Sequence, residues 1–365
     1  MQLSAIGVPV EELDTPALLL DLDRFEQNIA KMSEHFQARG VAWRPHAKAF
    51  KTPAIAHQLR KAGAIGVTVA KVSEAEIMAA AGIDDILIAH LVVGPHKTKR
   101  LAALQRHADV KATVDHLDQV APLGESARVC GVTIGILVDV DLGLRRCGVA
   151  SATDAVKLAQ VVSETPGLRF EGLMGYEGHA LMIPDRAQKK AAIQEAIGIL
   201  LSTKDAVERA GLNCRIISAG GTGSYQYTAD LPGITEIQAG GGIFACQYYT
   251  QVCGVEGHWP ALSLLATVVS RPAPDRAILD IGHKSVSQYR TPPILRDYDN
   301  CPVIGLSAEH AVVGVAPGND FPIGKKVAVI PGYSDFTFVL HDRVIGHRWG
   351  LVEVVWPLLA RGMLQ

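Results

Sequence analysis

Eight short apolar runs, separated by segments with helical spacing, constrain this chain more than any other feature. They fall at 41–45, 66–70, 85–89, 110–114, 132–140, 169–175, 214–218 and 235–238. Between them lie stretches such as 73–81 and 152–162, where apolar residues recur every three or four positions. Strand and helix alternating eight times make a closed (β/α)8 barrel of the TIM type. Such barrels carry their reactive groups at the C-terminal ends of the strands, and the first run ends in Trp43-Arg44-Pro45-His46-Ala47-Lys48. Lys48 is therefore the first residue to inspect for chemistry.

A barrel of this type needs about 250 residues, and the chain has 365. The remainder predicts a second domain. After Tyr249 the pattern changes to β-rich runs at 262–271, 277–281, 311–315, 326–330, 336–341 and 344–349, between Pro, Gly and Asp turns. This reads as a mostly antiparallel β domain. A strand-like run at 15–22, followed by an amphipathic helix at 24–37, lies outside the count of eight and is able to pair with that domain. The expected division is a barrel over 24–249 and a β-rich domain from 1–23 and 250–365.

With 20% charged residues and a net charge of -2, the composition excludes a polyanion binder, and no nucleic acid is expected. No apolar run approaches the ~18 residues of a membrane span, so no membrane is expected either. The first fourteen residues are acidic and do not read as a signal peptide. Six cysteines without a CxxC pair fit a reducing, cytoplasmic setting.

Two glycine clusters follow the last two runs: Ser218-Ala219-Gly220-Gly221-Thr222-Gly223-Ser224 and Gln238-Ala239-Gly240-Gly241-Gly242. Backbone N–H groups and hydroxyls in such turns bind oxyanions, and the loops after strands 7 and 8 are the usual phosphate site of this barrel. The alternative is that these glycines only make tight turns. A dinucleotide site is disfavoured, because the GxGxxG spacing is missing. In a closed barrel strand 8 abuts strand 1, so Lys48 neighbours the phosphate site. An amine beside a phosphate site points to a Schiff base with pyridoxal phosphate, and the cationic or titratable neighbours Arg44, His46 and Lys51 favour the free amine. A lysine at a strand end is otherwise a surface or ion-pair residue.

The stretches Asp14-Thr15-Pro16-Ala17-Leu18, Arg44-Pro45-His46-Ala47-Lys48, Lys71-Val72-Ser73-Glu74-Ala75, Val92-Val93-Gly94-Pro95, Gly143-Leu144-Arg145-Arg146-Cys147-Gly148, Gly220-Gly221-Thr222-Gly223-Ser224 and Leu340-His341-Asp342 occur in order along the chain. Together they resemble the D-threonine aldolase and D-serine dehydratase family of alanine-racemase-like, fold type III pyridoxal phosphate enzymes. The resemblance implies that Lys48 is the Schiff-base lysine, that Arg146 hydrogen-bonds the cofactor's phenolic oxygen, and that Tyr176 packs on the pyridine ring. It also implies that Gln238 lies near the pyridine nitrogen, where a neutral amide is a poor proton donor. Gly221, Thr222, Gly223, Ser224, Gly240 and Gly241 would hold the phosphate. For Arg146 the alternative is an ion pair with Asp139 or Asp141; for Tyr176, an ordinary core aromatic.

Two departures from the family pattern stand out. The family binds a divalent metal through a histidine and, two residues later, an aspartate or cysteine. The matching stretch here is Pro331-Gly332-Tyr333-Ser334-Asp335, so Tyr333 takes the histidine's place and only Asp335 remains. A phenol must lose a proton of pKa about 10 before it ligates zinc. His179, His283, His341 and His347 are the histidines able to complete a site, and Mn2+ or Mg2+ would be less demanding than Zn2+. The second departure is Phe50, where relatives commonly carry histidine.

The resemblance implies a homodimeric lyase acting on a small D-β-hydroxy amino acid, with retro-aldol cleavage to glycine or a related amino acid plus an aldehyde as the first expectation. A dehydratase of the D-serine or D-hydroxyaspartate type is second. Gly332-Tyr333-Ser334-Asp335 also resembles the stretch around the catalytic tyrosine of alanine racemases, which keeps racemisation by Lys48 and Tyr333 open. A non-catalytic pyridoxal phosphate-binding protein is the alternative of a different class. Lys48, His46 and Tyr333 are the candidate catalytic residues, and Asp335 the candidate metal ligand.

Overall fold

The structure, a computed structural model, describes residues 5–365. After β1 (Ala17–Asp21) and α1 (Leu22–Gln37), strands and helices alternate as β2 (Ala42–Trp43), α2 (Pro53–Lys61), β3 (Val67–Val69), α3 (Val72–Ala80), β4 (Asp85–Leu91), α4 (Pro95–Leu104) and β5 (Asp109–Val114). They continue as α5 (Val120–Cys130), β6 (Ile134–Val140), α6 (Ala152–Glu164), β7 (Leu168–Gly175), α7 (Arg186–Arg209), β8 (Ile216–Ala219), α8 (Tyr225–Thr228) and β9 (Glu236–Ile237). The remaining elements are β10 (Leu262–Ala273), β11 (Arg276–Leu279), β12 (Ile294–Leu295), β13 (Val303–Leu306), β14 (Ala311–Gly314), β15 (Lys326–Ile330), α9 (Ser334–Phe338), β16 (Arg343–Arg348) and β17 (Leu351–Pro357).

Two compact units result. One comprises residues up to Met32, Ala49–Thr52 and Gly241–Arg361; the other Ser33–Lys48, Pro53–Gly240 and Gly362–Gln365.

The second unit is the barrel. Its strands are parallel in the order β2-β9-β8-β7-β6-β5-β4-β3. The ends of that order meet, because Ile65 N–H donates to Trp43 O at 2.8 Å, Thr68 N–H donates to Pro45 O at 3.0 Å, and His46 bridges Thr68. All seven residues of β6 are buried, as expected of a strand covered on both faces, so its sequence reads as an unbroken apolar run. Helix starts are set by side chains that satisfy free N–H groups: Ser151 accepts from Asp154 N–H at the head of α6, and Asp185 from Gln188 N–H at the head of α7. α5 ends at Gly131, whose φ of 66° is the left-handed conformation that releases a chain from a helix.

Inside this unit Arg44 is 1% exposed. It donates to Glu236 at 3.0 Å and to Asp85 at 2.7 Å, and Lys111 donates to Asp85 at 2.8 Å. Burial alone would raise the Asp85 carboxyl, but Arg44 and Lys111 together hold it below the ordinary value. With Asp109, which accepts from Lys111 at 2.9 Å, five charges from β4, β5, β9 and the end of β2 are thus tied into one network.

In the first unit β1 pairs antiparallel with β10 and parallel with β16, in a sheet that runs β13-β14-β11-β10-β1-β16-β17. β15 joins through β10 and carries β12. Leu13, Ala17, Leu19, Leu265, Ile345 and Val352 form a core that ties the first strand to the last ones. The pairing expected for the N-terminal run is therefore present. One reading is corrected: 336–341, expected as a strand, overlaps α9. Ser334 and Asp335 open a helical turn there, Thr337 Oγ1 donates to Tyr333 O at 2.8 Å, and Phe338 is buried against Phe244 with ring centres 4.7 Å apart. β12, β13 and β17 were not expected.

Candidate active site

The barrel brings together the C-terminal ends of β8, β9 and β2. Lys48 sits in a short 3-10 turn, Ala47–Ala49, just past β2. That turn is stitched to the end of β9: His46 N–H donates to Gln238 O at 3.1 Å, and Trp43 Nε1 donates to Ala239 O at 2.7 Å. The two segments approach so closely that a methyl group on Gly240 would lie 2.4 Å from the His46 carbonyl oxygen. Gly240 is therefore demanded by this contact. The Lys48 side chain is exposed and makes no ion pair or hydrogen bond with any described residue, while its backbone N–H reaches His46 Nδ1 at 3.4 Å.

The turn after β8 is built differently. Gly220 has φ 75°, a conformation that favours glycine, and Gly221 N–H donates to Ser224 Oγ at 3.1 Å. Glu177, fully buried, accepts from Gly220 N–H at 3.3 Å and from Thr228 Oγ1 at 2.6 Å, and so fixes the turn from below. Thr222 and Ser224 are buried in the turn. The ring of Tyr176, the residue before Glu177, lies against two glycines: a methyl group on Gly221 would be 3.0 Å from its Cε2, and one on Gly178 2.5 Å from its Cε1. The Arg146 guanidinium carbon is 5.8 Å from the centre of the same ring. Gln238 donates through Nε2 to Ser218 Oγ at 2.9 Å.

Arg146 is presented by the loop after β6. Asp141 Oδ1 accepts the N–H groups of Gly143 at 3.0 Å and Arg145 at 2.9 Å, and Gly148 N–H donates to Asp115 Oδ2 at 3.0 Å. Arg145, at φ 56°, bears the strain of this tight course. Neither Asp139 nor Asp141 forms a salt bridge with Arg146; Asp141 is used on backbone, and Asp139 accepts from Cys147 Sγ at 3.3 Å.

Burial raises the Asp139 carboxyl from 3.8 to about 6, against the lowering effects of Cys147 and Arg146. Its folded value lies above its unfolded one, so the native state holds the extra proton in between. The stability this group contributes is therefore lost as pH rises from about 4 to about 6, a loss of up to ~3 kcal/mol above that window. Asp139→Asn is expected to be more stable than the parent to urea at pH 7.5 by up to that amount, with the difference gone near pH 4. An Asn variant no more stable than the parent at pH 7.5 would contradict this account.

In the other unit Tyr333 and Asp335 are adjacent. Tyr333 Oη donates to Asp335 Oδ2 at 2.8 Å, Ser334 Oγ donates to Oδ1 at 3.3 Å, and Tyr249 Oη lies 3.5 Å from Tyr333 Oη. Burial first, then Asp335, pushes the Tyr249 phenol well above its ordinary range. Gly332 is fixed as glycine by contact, since a methyl group there would sit 2.0 Å from Thr291 O. Gly241 packs against the Tyr249 ring, where a methyl group would be 2.4 Å from Cε2. Rings of Tyr248, Tyr289 and Phe336 complete the surroundings of Tyr333.

Sequence reasoning did not single out Glu177, Asp115 or Tyr249. For Glu177 the only signal is an acid between glycines at a strand end, Gly175-Tyr176-Glu177-Gly178. An unpaired amine, hydroxyl-bearing glycine turns and an arginine over an aromatic ring form a donor set that fits a phosphorylated aldehyde such as pyridoxal phosphate. The set around Asp335 does not fit a divalent metal. Asp335 has phenols and a hydroxyl for neighbours in place of further ligands, and no group of three or more His, Cys, Asp or Glu among the described residues is placed to hold an ion.

Residues 20–247 match the family described as "Alanine racemase, N-terminal domain", and residues 261–347 match the "Putative serine dehydratase domain". The chain is 38% identical to a D-threonine aldolase of Arthrobacter sp, over 98% of this chain and 95% of the relative. This chain belongs to the D-threonine aldolase and D-serine dehydratase family. This family member is also 36% identical to a 3-hydroxy-D-aspartate aldolase of Paracoccus denitrificans (strain Pd 1222), over 98% of its own length and 94% of that protein. Its fold superposes on the crystal structure of D-threonine aldolase from Filomicrobium marinum with a TM-score of 0.96, at 35% identity and 99% coverage of both chains. No helix among the described residues is long and apolar enough to cross a membrane.

Proposed function

We propose that this chain is a pyridoxal phosphate-dependent lyase that cleaves a D-β-hydroxy amino acid by a retro-aldol reaction, giving glycine or a related amino acid and an aldehyde. The observation that carries the reading is Lys48: a side chain amine without a partner among the described residues, on a turn bonded to the glycine-rich end of β9. The likeness over nearly the full length to two proteins named as aldolases supports the choice of reaction.

In this reading Lys48 holds the cofactor's aldehyde carbon, and the Gly221–Ser224 turn with Gly240 and Gly241 holds its phosphate. Arg146 would hold the phenolic oxygen, Tyr176 would support the ring, and Gln238 would offer the ring nitrogen a neutral amide. Bound there, the cofactor would draw electrons from the substrate's α-carbon once the substrate amine is attached to it. The chain's own residues do the rest. Glu177 keeps the phosphate turn rigid through Gly220 and Thr228, which prepays the entropy of ordering that loop. His46, whose Nδ1 accepts from the backbone N–H of Lys48, is the second residue proposed to act at this turn. Tyr333 and Asp335 act on the substrate's β-hydroxyl. The protein is proposed to work as a cytoplasmic homodimer, for which light scattering on the purified protein must give twice the chain mass.

The match to a serine dehydratase domain over residues 261–347 favours one second reading, loss of the β-hydroxyl to give a keto acid and ammonia. The two separate on products. Cofactor-loaded protein incubated with D-threonine is expected to release acetaldehyde and glycine, and with D-serine to form little pyruvate. Keto acid as the main product from both substrates would replace the aldolase reading by the dehydratase one.

A further inference from the structure

We propose that Tyr333 and Asp335 form a phenol–carboxylate pair that takes the place of a divalent metal in this chain and receives the proton of the substrate's β-hydroxyl. The inference rests on the lyase reading above. Its structural ground is the direction of the hydrogen bonds. A metal ion needs several lone pairs aimed at it, for zinc or magnesium from about 2.0–2.2 Å away. Here the Tyr333 phenol aims a proton at Asp335 Oδ2, and the single Ser334 hydroxyl proton lies between Asp335 Oδ1 at 3.3 Å and Cys246 Sγ at 3.5 Å. The next oxygen outward, Tyr249 Oη, is also a phenol. His341, a histidine of the same unit, has its Nε2 2.8 Å from Ser285 O. Tyr333, Ser334 and Asp335 are all buried, so the pair sits in surroundings that strengthen its hydrogen bond relative to water.

Such a pair supplies what the reaction requires of the β-oxygen. As the bond between Cα and Cβ breaks, its electron pair stays with Cα and the hydroxyl oxygen becomes the aldehyde oxygen. The hydroxyl proton passes to Tyr333 Oη while the Tyr333 proton passes to Asp335 Oδ2. Cα then takes up one proton, so the cleavage gains and loses none overall and consumes no oxidant, reductant or water. A buried tyrosine that only filled space would not change kcat selectively on loss of its oxygen.

The test uses the cofactor-loaded protein with added Mn2+, read by electron paramagnetic resonance, beside aldehyde release from D-threonine with and without EDTA. The parent is expected to bind no stoichiometric Mn2+ and to turn over unchanged in EDTA. Tyr333→Phe is expected to keep its bound-cofactor absorbance and its KM but to lose about 100-fold in kcat. Tyr333→His, which places an imidazole two residues before Asp335, is expected to gain Mn2+ binding. One Mn2+ bound per parent chain, or turnover abolished by EDTA, would overturn the metal-free assignment. Unchanged kcat in Tyr333→Phe would overturn the proton role. Absence of aldehyde from the parent would overturn the lyase reading and the proton role with it, and the Mn2+ spectrum separates that failure from a failure of the metal-free assignment.

Discussion

Lys48→Ala is expected to leave the barrel folded and to lower kcat/KM for the D-substrate by at least about 10^3-fold, because it removes the amine proposed to hold the cofactor covalently. The side chain is exposed and without an ion pair, so its removal leaves no buried charge behind and deletes no core contact. That separates this lysine from Lys111, which is buried among carboxylates. Borohydride treatment followed by intact mass measurement should attach one cofactor per chain in the parent and none in the variant. Attachment that survives in Lys48→Ala would move the Schiff-base assignment to another lysine.

The second large effect concerns folding. Arg44→Ala strips Glu236 of its buried partner and leaves Asp85 with Lys111 alone. Breaking a buried pair from one side costs about 3–5 kcal/mol, since the remaining charge stays desolvated. In urea the midpoint of barrel unfolding should fall accordingly. Arg44→Met combined with Glu236→Leu should recover most of the loss, because it removes both charges and keeps the volume. A cost below about 1 kcal/mol for Arg44→Ala would mean that water reaches Glu236 and that the network is only decorative.

The barrel was legible because its strands are mostly buried on both faces and so write themselves as short apolar runs, with turns between. The boundaries moved by at most two residues; the run expected at 132–140 begins at Ile134, because Val132 still bonds back to Ala127 in the helix end. The segment 336–341 misled because Phe-Thr-Phe-Val-Leu carries residues common in strands, while the helical turn is specified by Ser334, Asp335 and the Thr337 hydroxyl. β17 escaped notice because its exposed and buried positions do not alternate cleanly.

At the site, Lys48 and the two glycine clusters could be found from spacing and from the adjacency of first and last strands in a barrel. The individual reasons for the glycines could not. Gly240 answers to the His46 backbone, Gly221 and Gly178 to the Tyr176 ring, and Gly241 to the Tyr249 ring. The role of Glu177 and the burial of Asp139 were beyond reach for a related reason. A buried acid acquires its meaning from neighbours far away in sequence, here Thr228 for one and the desolvating interior for the other.

The measurement that bears most directly on the proposed reaction is proton NMR of the cofactor-loaded protein with D-threonine in D2O. Cleavage between Cα and Cβ requires the new glycine to carry one deuterium from solvent beside the acetaldehyde, and that is the result expected. Keto acid and ammonia without glycine, or recovered threonine with deuterium at Cα and both carbons still joined, would contradict the retro-aldol account.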